Sequence, residues 1–162
     1  MTWRRPSWRW PRARTRRGRR LQAGVAAAVL LALVWAWPSG RTEPPPTWPR
    51  EPILAAIRFV ESSDRDDVPD GDAGKAIGPY QIHEVYWQDA LRFRPALGGT
   101  WQDCRKRAYA EAVIDAYMQR WANEAWQQGD AETIARIHNG GPGGATKDST
   151  LGYWERVRAR LP

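Results

Sequence analysis

Cysteine and histidine are scarce in this chain of 162 residues, which contains one cysteine, Cys104, and two histidines, His83 and His138. A single cysteine excludes an intramolecular disulfide, so the core and surface contacts alone must hold the folded part together. Two histidines without a His-x-x-x-His spacing argue against a zinc site. We therefore expect no metal and no other cofactor, and we expect Cys104 to be a small buried apolar residue.

Acidic residues are absent from residues 1–40, whereas residues 1–20 contain nine arginines. Setting these nine apart leaves 16 basic residues against 18 acidic ones. Residues 41–162 then carry a net charge of about −2, although the whole chain carries +7. The basic excess belongs to an arginine-rich tail, residues 1–20, which argues against a nucleic-acid groove in the folded part and against nucleic acid as a partner.

Charge of either sign is absent from residues 21–37, LQAGVAAAVLLALVWAW. An arginine-rich stretch followed by such a run is typical of a signal peptide or a short transmembrane anchor, and we expect a hydrophobic helix here. No convincing cleavage site follows the run, which favours an uncleaved anchor in the membrane. The positive-inside rule then places residues 38–162 outside the cytoplasm, in the cell envelope, or in the secreted product if the segment is cleaved.

Long alternating patterns of apolar and polar residues are also lacking, and the apolar residues recur mostly at helical spacing. Five prolines within residues 38–50 predict an extended linker. The folded domain should therefore span residues 51–162, which is long enough for one modest core. We predict an α+β fold that is predominantly α, with room for a small β-hairpin around residues 63–78.

Prolines, glycines and capping residues set the expected ends of the helices. Thr100, with Asp103 three residues later, resembles a capping box, and Asp130 and Ser149 or Thr150 are further caps. The expected helices run from Pro52 to about Ser62, from Pro79 through Leu91, from Thr100 to about Gln127, from Asp130 to His138, and from Thr150 to Leu161.

Glu61 is the first candidate for catalysis. It lies four residues after Ile57 and seven after Leu54, hence on or beside the apolar face of the first predicted helix. Burial there raises the pKa of a carboxyl group. A protonated glutamic acid near an ionised carboxylate is the arrangement that cleaves a glycosidic bond. The candidates for the ionised group are the aspartates of the following loop, Asp64, Asp66, Asp67, Asp70 and Asp72.

Three parts of the sequence, in this order, resemble the invertebrate-type lysozymes, also called destabilases. They are ESS at 61–63, GPYQIHEVYWQDA at 78–90, and HNGGPGG at 138–144 with STLGYW at 149–154. The resemblance covers roughly residues 54–157. It implies a lysozyme-like fold and a glycoside hydrolase that cleaves the β-1,4 link between N-acetylmuramic acid and N-acetylglucosamine in peptidoglycan or a related N-acetylated polysaccharide.

The resemblance places the catalytic acid on Glu61 and the second carboxylate on Asp72, eleven residues later, with Asp70 in reserve. Aromatic faces and amide groups suit the binding of sugars. The glycine-rich loop should border the cleft, and Gly140 is expected to adopt a positive φ. The residues expected to bind substrate are Tyr80, Gln81, Tyr86, Trp87, His138, Asn139 and Gly140.

The resembling family is rich in disulfides and this chain is not. Something else must therefore hold Asp72 in the loop 63–78, and the candidates are Lys75 and the packing of Ile77.

Two other functions remain open at this stage. The stretch GDAGKAIGPYQI also resembles lytic transglycosylases and goose-type lysozymes, which can work with a single glutamate, here Glu61. A non-catalytic glycan-binding module in the envelope is the third alternative. Destabilases are also credited with isopeptidase activity, for which Lys147 and Ser149 form the nearest Ser-Lys pair.

Overall fold

Helices make up most of the described structure, and each of the five predicted helices overlaps at least one observed helix. The computed structural model describes residues 47–162. The helices are α1 (Arg50–Ser62), α2 (Glu84–Phe93), α3 (Arg107–Trp121), α4 (Asn123–Gln128), α5 (Ala131–Gly140) and α6 (Leu151–Arg158). Short 3-10 turns cover Asp72–Gly74, Pro95–Leu97, Trp101–Arg105, Gly144–Thr146 and Asp148–Thr150.

The strands form one small antiparallel sheet, in which β1 (Ala76–Ile77) pairs with β2 (Ile82–His83). This confirms the α+β class with a predominance of helix. The hairpin lies further along the chain than expected, because only β1 falls within residues 63–78. Gly71 adds one isolated bridge to Ala76, so the loop before β1 is tied to the sheet.

Two predicted helices need correction. The second helix begins at Glu84 and not after Pro79, because the residues between them form a turn and β2. The long helix predicted after Thr100 is three separate pieces, since Lys106 (φ −87°, ψ 120°) and Ala122 (φ −144°, ψ 35°) depart from helical geometry. The predicted capping box itself is present, between Thr100 and Asp103.

The predicted caps of the last two helices, Asp130 and Thr150, lie at the starts of those helices. Asp130 accepts a hydrogen bond of 3.1 Å from the backbone N–H of Thr133 at the start of α5, as predicted. Thr150 immediately precedes α6, although its side chain caps nothing there. The Thr150 hydroxyl instead donates to the carbonyls of Gly144 and Lys147, which fixes the glycine-rich loop against α6.

The core lies between α1, the sheet, α3, α5 and α6. Its fully buried apolar side chains include Ile53, Ile57, Ile77, Ile82, Val113, Ile114, Ile134 and Val157. Cys104 is buried among them, as predicted, and burial raises the pKa of its thiol to about 12. Trp48 packs against this core from the segment before α1, so the packed part reaches into the predicted linker.

The predicted arginine-rich tail, the hydrophobic segment 21–37 and most of the linker lie outside the described residues. None of the helices formed by residues 47–162 is long and apolar enough to cross a membrane.

Candidate active site

Glu61 stands at the end of α1 with its side chain 19% exposed. The hydroxyl of Tyr153, in α6, donates a hydrogen bond of 2.7 Å to Glu61 Oε1. Burial raises the pKa of the Glu61 carboxyl, while the Tyr153 hydrogen bond and the charge of Arg156 partly oppose the shift. Glu61 therefore keeps its proton to a higher pH than a free glutamic acid, as its place on the helix predicts.

His138 lies beside Glu61, with Nε2 at 4.0 Å from Glu61 Oε1. Its side chain is only 4% exposed, and burial lowers its pKa to about 4 against the opposing effect of the Tyr80 backbone. The imidazole is therefore neutral at neutral pH, so it adds no positive charge that would lower the pKa of Glu61. A pKa this low also makes His138 a weak general base.

A cleft of about 310 Å³ opens over Glu61. Five predicted site residues line it together, namely Glu61, Asp72, Gln81, His138 and Asn139, and Ala76 and His83 complete the wall. The lining is mostly polar, which suits a ligand rich in hydroxyl and amide groups.

Asp72 reaches the cleft from the 3-10 turn before β1. Its side chain is 61% exposed, and Oδ2 lies 3.7 Å from His83 Nε2. The carboxylate therefore faces solvent across the cleft from the buried acid.

Asp70, the reserve candidate, is not part of the cleft wall. It forms two hydrogen bonds with Arg105, one of them 2.8 Å from Nη2 to Oδ2, and this pairing holds its pKa below the usual range. Two other loop aspartates also bind arginines: Asp64 contacts Arg58, and Asp66 contacts Arg107. Asp72 is thus the loop aspartate that the structure brings to Glu61.

The backbone around the cleft is strained. Within residues 47–162, the non-glycine residues with positive φ are Ser63, Asp64, Asp72, Ala73 and Gln81. All five belong to the segment that follows Glu61 or to the turn between the two strands. Left-handed backbone at non-glycine residues persists only where surrounding contacts enforce it, and such residues cluster at functional sites.

Two aromatic residues expected to bind substrate do not line the cleft. Tyr80 is fully buried; its hydroxyl accepts a hydrogen bond of 2.9 Å from Arg58 and donates one of 2.7 Å to Glu111. Trp87 is half-buried and donates to the hydroxyl of Tyr109. Both side chains stabilise the fold instead.

Tyr86, also expected to bind substrate, lines a second pocket. Its ring stacks on Tyr117, with centroids 3.5 Å apart, and meets His138 edge-on at 5.5 Å. These residues line a pocket of about 280 Å³ that shares His83, His138 and Asn139 with the cleft over Glu61. The two cavities are therefore adjacent, and together they are called the groove here.

The glycine-rich loop differs from expectation by one residue. Gly140 is the last residue of α5, whereas Gly141 has the positive φ, of 77°. A Cβ on Gly140 would lie 2.6 Å from Thr150 Cγ2, so Gly140 allows close packing and does not line the cleft. Lys147 Nζ donates to the Gly140 carbonyl, which assigns that side chain to loop packing.

Sequence analysis missed Tyr153 and His83 as parts of the site. Tyr153 lies in the quoted segment STLGYW, but it is 92 positions from Glu61, so no local pattern reveals their contact. His83 follows Ile82 in β2 and lines the cleft. Because a helix was predicted for these residues, the sequence did not indicate which way the His83 side chain faces. In the described part of the chain, no group of three or more metal-ligating side chains is placed to hold a metal ion.

The chain is similar in sequence to the destabilase family and to proteins named lysozyme. A sequence model of the destabilase family matches residues 58–160. A lysozyme from Meretrix lusoria is 39% identical over 107 residues, which cover 65% of this chain and 84% of the relative.

Solved structures agree with the sequence comparison. Tapes japonica lysozyme aligns with a TM-score of 0.58 at 28% identity, over 70% of this chain and 91% of that one. Inhibitor-bound lysozyme from Meretrix lusoria aligns with a TM-score of 0.55 at 35% identity, over 67% and 88% of the two chains. The protein therefore has the lysozyme fold and belongs to the destabilase family of invertebrate-type lysozymes, as a lysozyme-like glycosidase.

Proposed function

We propose that this protein is a muramidase that hydrolyses the β-1,4 link between N-acetylmuramic acid and N-acetylglucosamine in peptidoglycan. Glu61 is the general acid and Asp72 the second carboxylate. The observation that carries the proposal is that a buried acid of raised pKa and an exposed carboxylate line one polar cleft. Similarity to proteins named lysozyme supports the choice of substrate.

The reaction begins with Glu61 protonated. Its proton passes to the glycosidic oxygen as the bond from that oxygen to C1 of the muramic acid breaks. Asp72 compensates the positive charge that develops at C1, either as a neighbouring anion or by bonding to C1. The ionised Glu61 then takes a proton from water, whose oxygen bonds to C1; where Asp72 has bonded to C1, that bond breaks in the same step and the carboxylate is released, and the acid is restored.

The groove walls supply the groups that a sugar chain needs. Gln81 and Asn139 offer amides that donate and accept hydrogen bonds to hydroxyl or acetamido groups. The pocket beside Tyr86 and Tyr117 is more apolar and accommodates the ring of a neighbouring sugar unit.

The N-terminal sequence supports a location for this activity outside the cytoplasm. The arginine-rich tail and the uncharged run 21–37 would direct the domain across a membrane and anchor it there. We infer that the domain faces the cell wall, and that it is secreted if the segment is cleaved.

The test is digestion of purified peptidoglycan by the full-length protein, with the soluble products analysed by mass. Glu61→Gln should abolish the products, and Asp72→Asn should reduce them by about 100-fold or more. Asp67→Asn is the matched control, since Asp67 is a loop aspartate that neither lines the cleft nor forms an ion pair with any residue of 47–162. This control should retain wild-type activity.

The products distinguish the alternatives. Reducing-end muropeptides from the wild type and the control establish hydrolysis. Anhydro-muropeptides, lighter by one water, would contradict hydrolysis and indicate a lytic transglycosylase that uses Glu61 alone. No products, with the protein still sedimenting with cell walls, would indicate a binding module.

A further inference from the structure

We propose that Arg105 is a positioning residue for Asp72, assisted by Arg58 and Arg107. These three arginines, called here the arginine clamp, bind three aspartates of the loop 63–72, namely Asp64, Asp66 and Asp70, and hold it against the cleft. The proposal rests on the function proposed for Asp72. It assigns to ion pairs the role that disulfides cannot fill in a chain with one cysteine.

The contacts follow the loop from its start to its end. Arg58 binds Asp64 directly after α1. Arg107 Nε donates to Asp66 Oδ1 at 2.8 Å. The guanidinium of Arg105 then donates two hydrogen bonds to the carboxylate of Asp70, which lies two residues before Asp72.

The arginines belong to rigid parts of the fold. Arg58 lies in α1, three residues before Glu61, and its side chain is only 10% exposed. Arg105 adjoins the buried Cys104, and the backbone there packs against the residue that follows β1: a Cβ on Gly78 would lie 2.2 Å from the Cys104 carbonyl oxygen. The clamp therefore links the loop to the helix that carries Glu61 and to the base of the sheet.

Arg105 acts at the entrance to the strained turn. Gly71 separates Asp70 from Asp72 and exchanges two backbone hydrogen bonds with Ala76, of 2.8 and 3.1 Å. The two residues before Asp72 are therefore both held in place, Asp70 by its ion pair with Arg105 and Gly71 by its bridge to Ala76. Asp72 and Ala73 then adopt left-handed backbone, with φ of 44° and 55°, which needs such support to persist.

The solvent exposure of these groups indicates a local role. The side chains of Arg105 and Asp70 are 43% and 33% exposed, and ion pairs of this kind contribute little to overall stability. A guanidinium that forms two hydrogen bonds with one carboxylate nevertheless restricts orientation. Loss of the pair should therefore be visible in the order of the loop and in catalysis more than in the melting temperature.

The test compares Arg105→Met with Arg158→Met in the full-length protein. Arg158 is the control because it pairs with Glu155 on the exposed face of α6, in an ion pair of 2.8 Å that does not touch the loop. We expect Arg105→Met to lower kcat about tenfold, with KM and the alkaline limb of the pH profile unchanged. Hydrogen exchange should accelerate in residues 70–76 of this variant, whereas Arg158→Met should match the wild type in both measurements.

Combined variants separate the clamp from the proposed function. Arg105→Met should add no further loss of kcat to Asp72→Asn, and Asp70→Asn should reproduce Arg105→Met. Unchanged kcat in Arg105→Met, or an equal loss in the Asp72→Asn background, would overturn the positioning role. Full activity of Asp72→Asn would instead refute the role of Asp72 itself, while hydrogen exchange would still report whether Arg105 orders the loop.

Discussion

Tyr153 donates a hydrogen bond of 2.7 Å to Glu61, and so connects the last helix to the proposed catalytic acid. This bond favours the ionised carboxylate and thereby lowers the pKa that burial raises. Tyr153→Phe removes the donor, so the pKa of Glu61 should rise further. Because Glu61 acts in its protonated form, the alkaline limb of kcat/KM should shift to higher pH.

The measurement is the pH profile of peptidoglycan hydrolysis. Tyr109→Phe is the matched control, because Tyr109 bonds to Trp87 and Gly98 and does not line the groove. An alkaline limb that stays in place or shifts to lower pH in Tyr153→Phe would contradict the assignment of Glu61 as the acid.

Glu61 should also reduce the stability of the fold at neutral pH. Its folded-state pKa is raised, so the stability it contributes is fully present below about 4.5 and is lost as the pH rises through the folded value. Glu61→Gln mimics the neutral acid and should raise the free energy of unfolding at neutral pH, by about 1.4 kcal/mol for each unit of pKa shift.

Urea unfolding at several pH values measures this effect. The gain in Glu61→Gln should shrink as the pH falls towards 4.5, where the wild-type acid is also neutral in the unfolded chain. A variant less stable than the wild type at neutral pH would show that the carboxylate stabilises the fold.

His138 should make the protein sensitive to acid. Its pKa is lowered from 6.5 to about 4, so the unfolded chain takes up a proton before the folded one does. Stability that is intact above 6.5 is therefore lost as the pH falls through about 4, by roughly 3 kcal/mol in full.

His138→Gln should flatten this loss, because glutamine takes up no proton over this pH range. Glu61 acts in the opposite direction above about 4.5, so the comparison of His138→Gln with the wild type isolates the contribution of His138. Identical pH dependence of unfolding in His138→Gln and the wild type would rule out a buried neutral imidazole.

Two glycines that flank β1 should differ sharply in their tolerance of alanine. Gly74 and Gly78 both have positive φ, of 88° and 71°. A Cβ on Gly78 would collide with the Cys104 carbonyl, whereas a Cβ on Gly74 would meet nothing within 4 Å.

Gly74→Ala carries only the backbone penalty, about 1 kcal/mol. Gly78→Ala adds a steric clash and should lower the free energy of unfolding by about 3 kcal/mol or more. Chemical denaturation of both variants measures the difference, and equal losses would contradict the close packing of Gly78 on Cys104.

Local sequence signals predicted much of the fold because they depend on neighbours in the chain. The capping box at Thr100 and the cap at Asp130 are formed within three residues, and both are present. The position of Glu61 on its helix likewise follows from the spacing of Ile57 and Leu54 within a single element.

Other features depend on contacts between distant segments and had no local signal. Tyr80 is an amphipathic residue beside a loop, and only the positions of Arg58 and Glu111 show that it faces inward. The break of the long helix at Ala122 likewise lacks a proline or glycine. Arg105 and Asp70 are 35 positions apart, so the pair was not foreseeable from the sequence.

If the arginine clamp holds the loop 63–72 as proposed, it determines which solution conditions can loosen that loop. Thiol reductants have no crosslink to open in a chain whose one cysteine is buried and protonated. Dissolved salt should loosen the loop instead, because it screens the ion pairs that hold it. At physiological ionic strength charges are screened over about 8 Å, and partly exposed pairs weaken further as the salt concentration rises. The enzyme should therefore work equally well in reducing and oxidising media, and lose activity in brine.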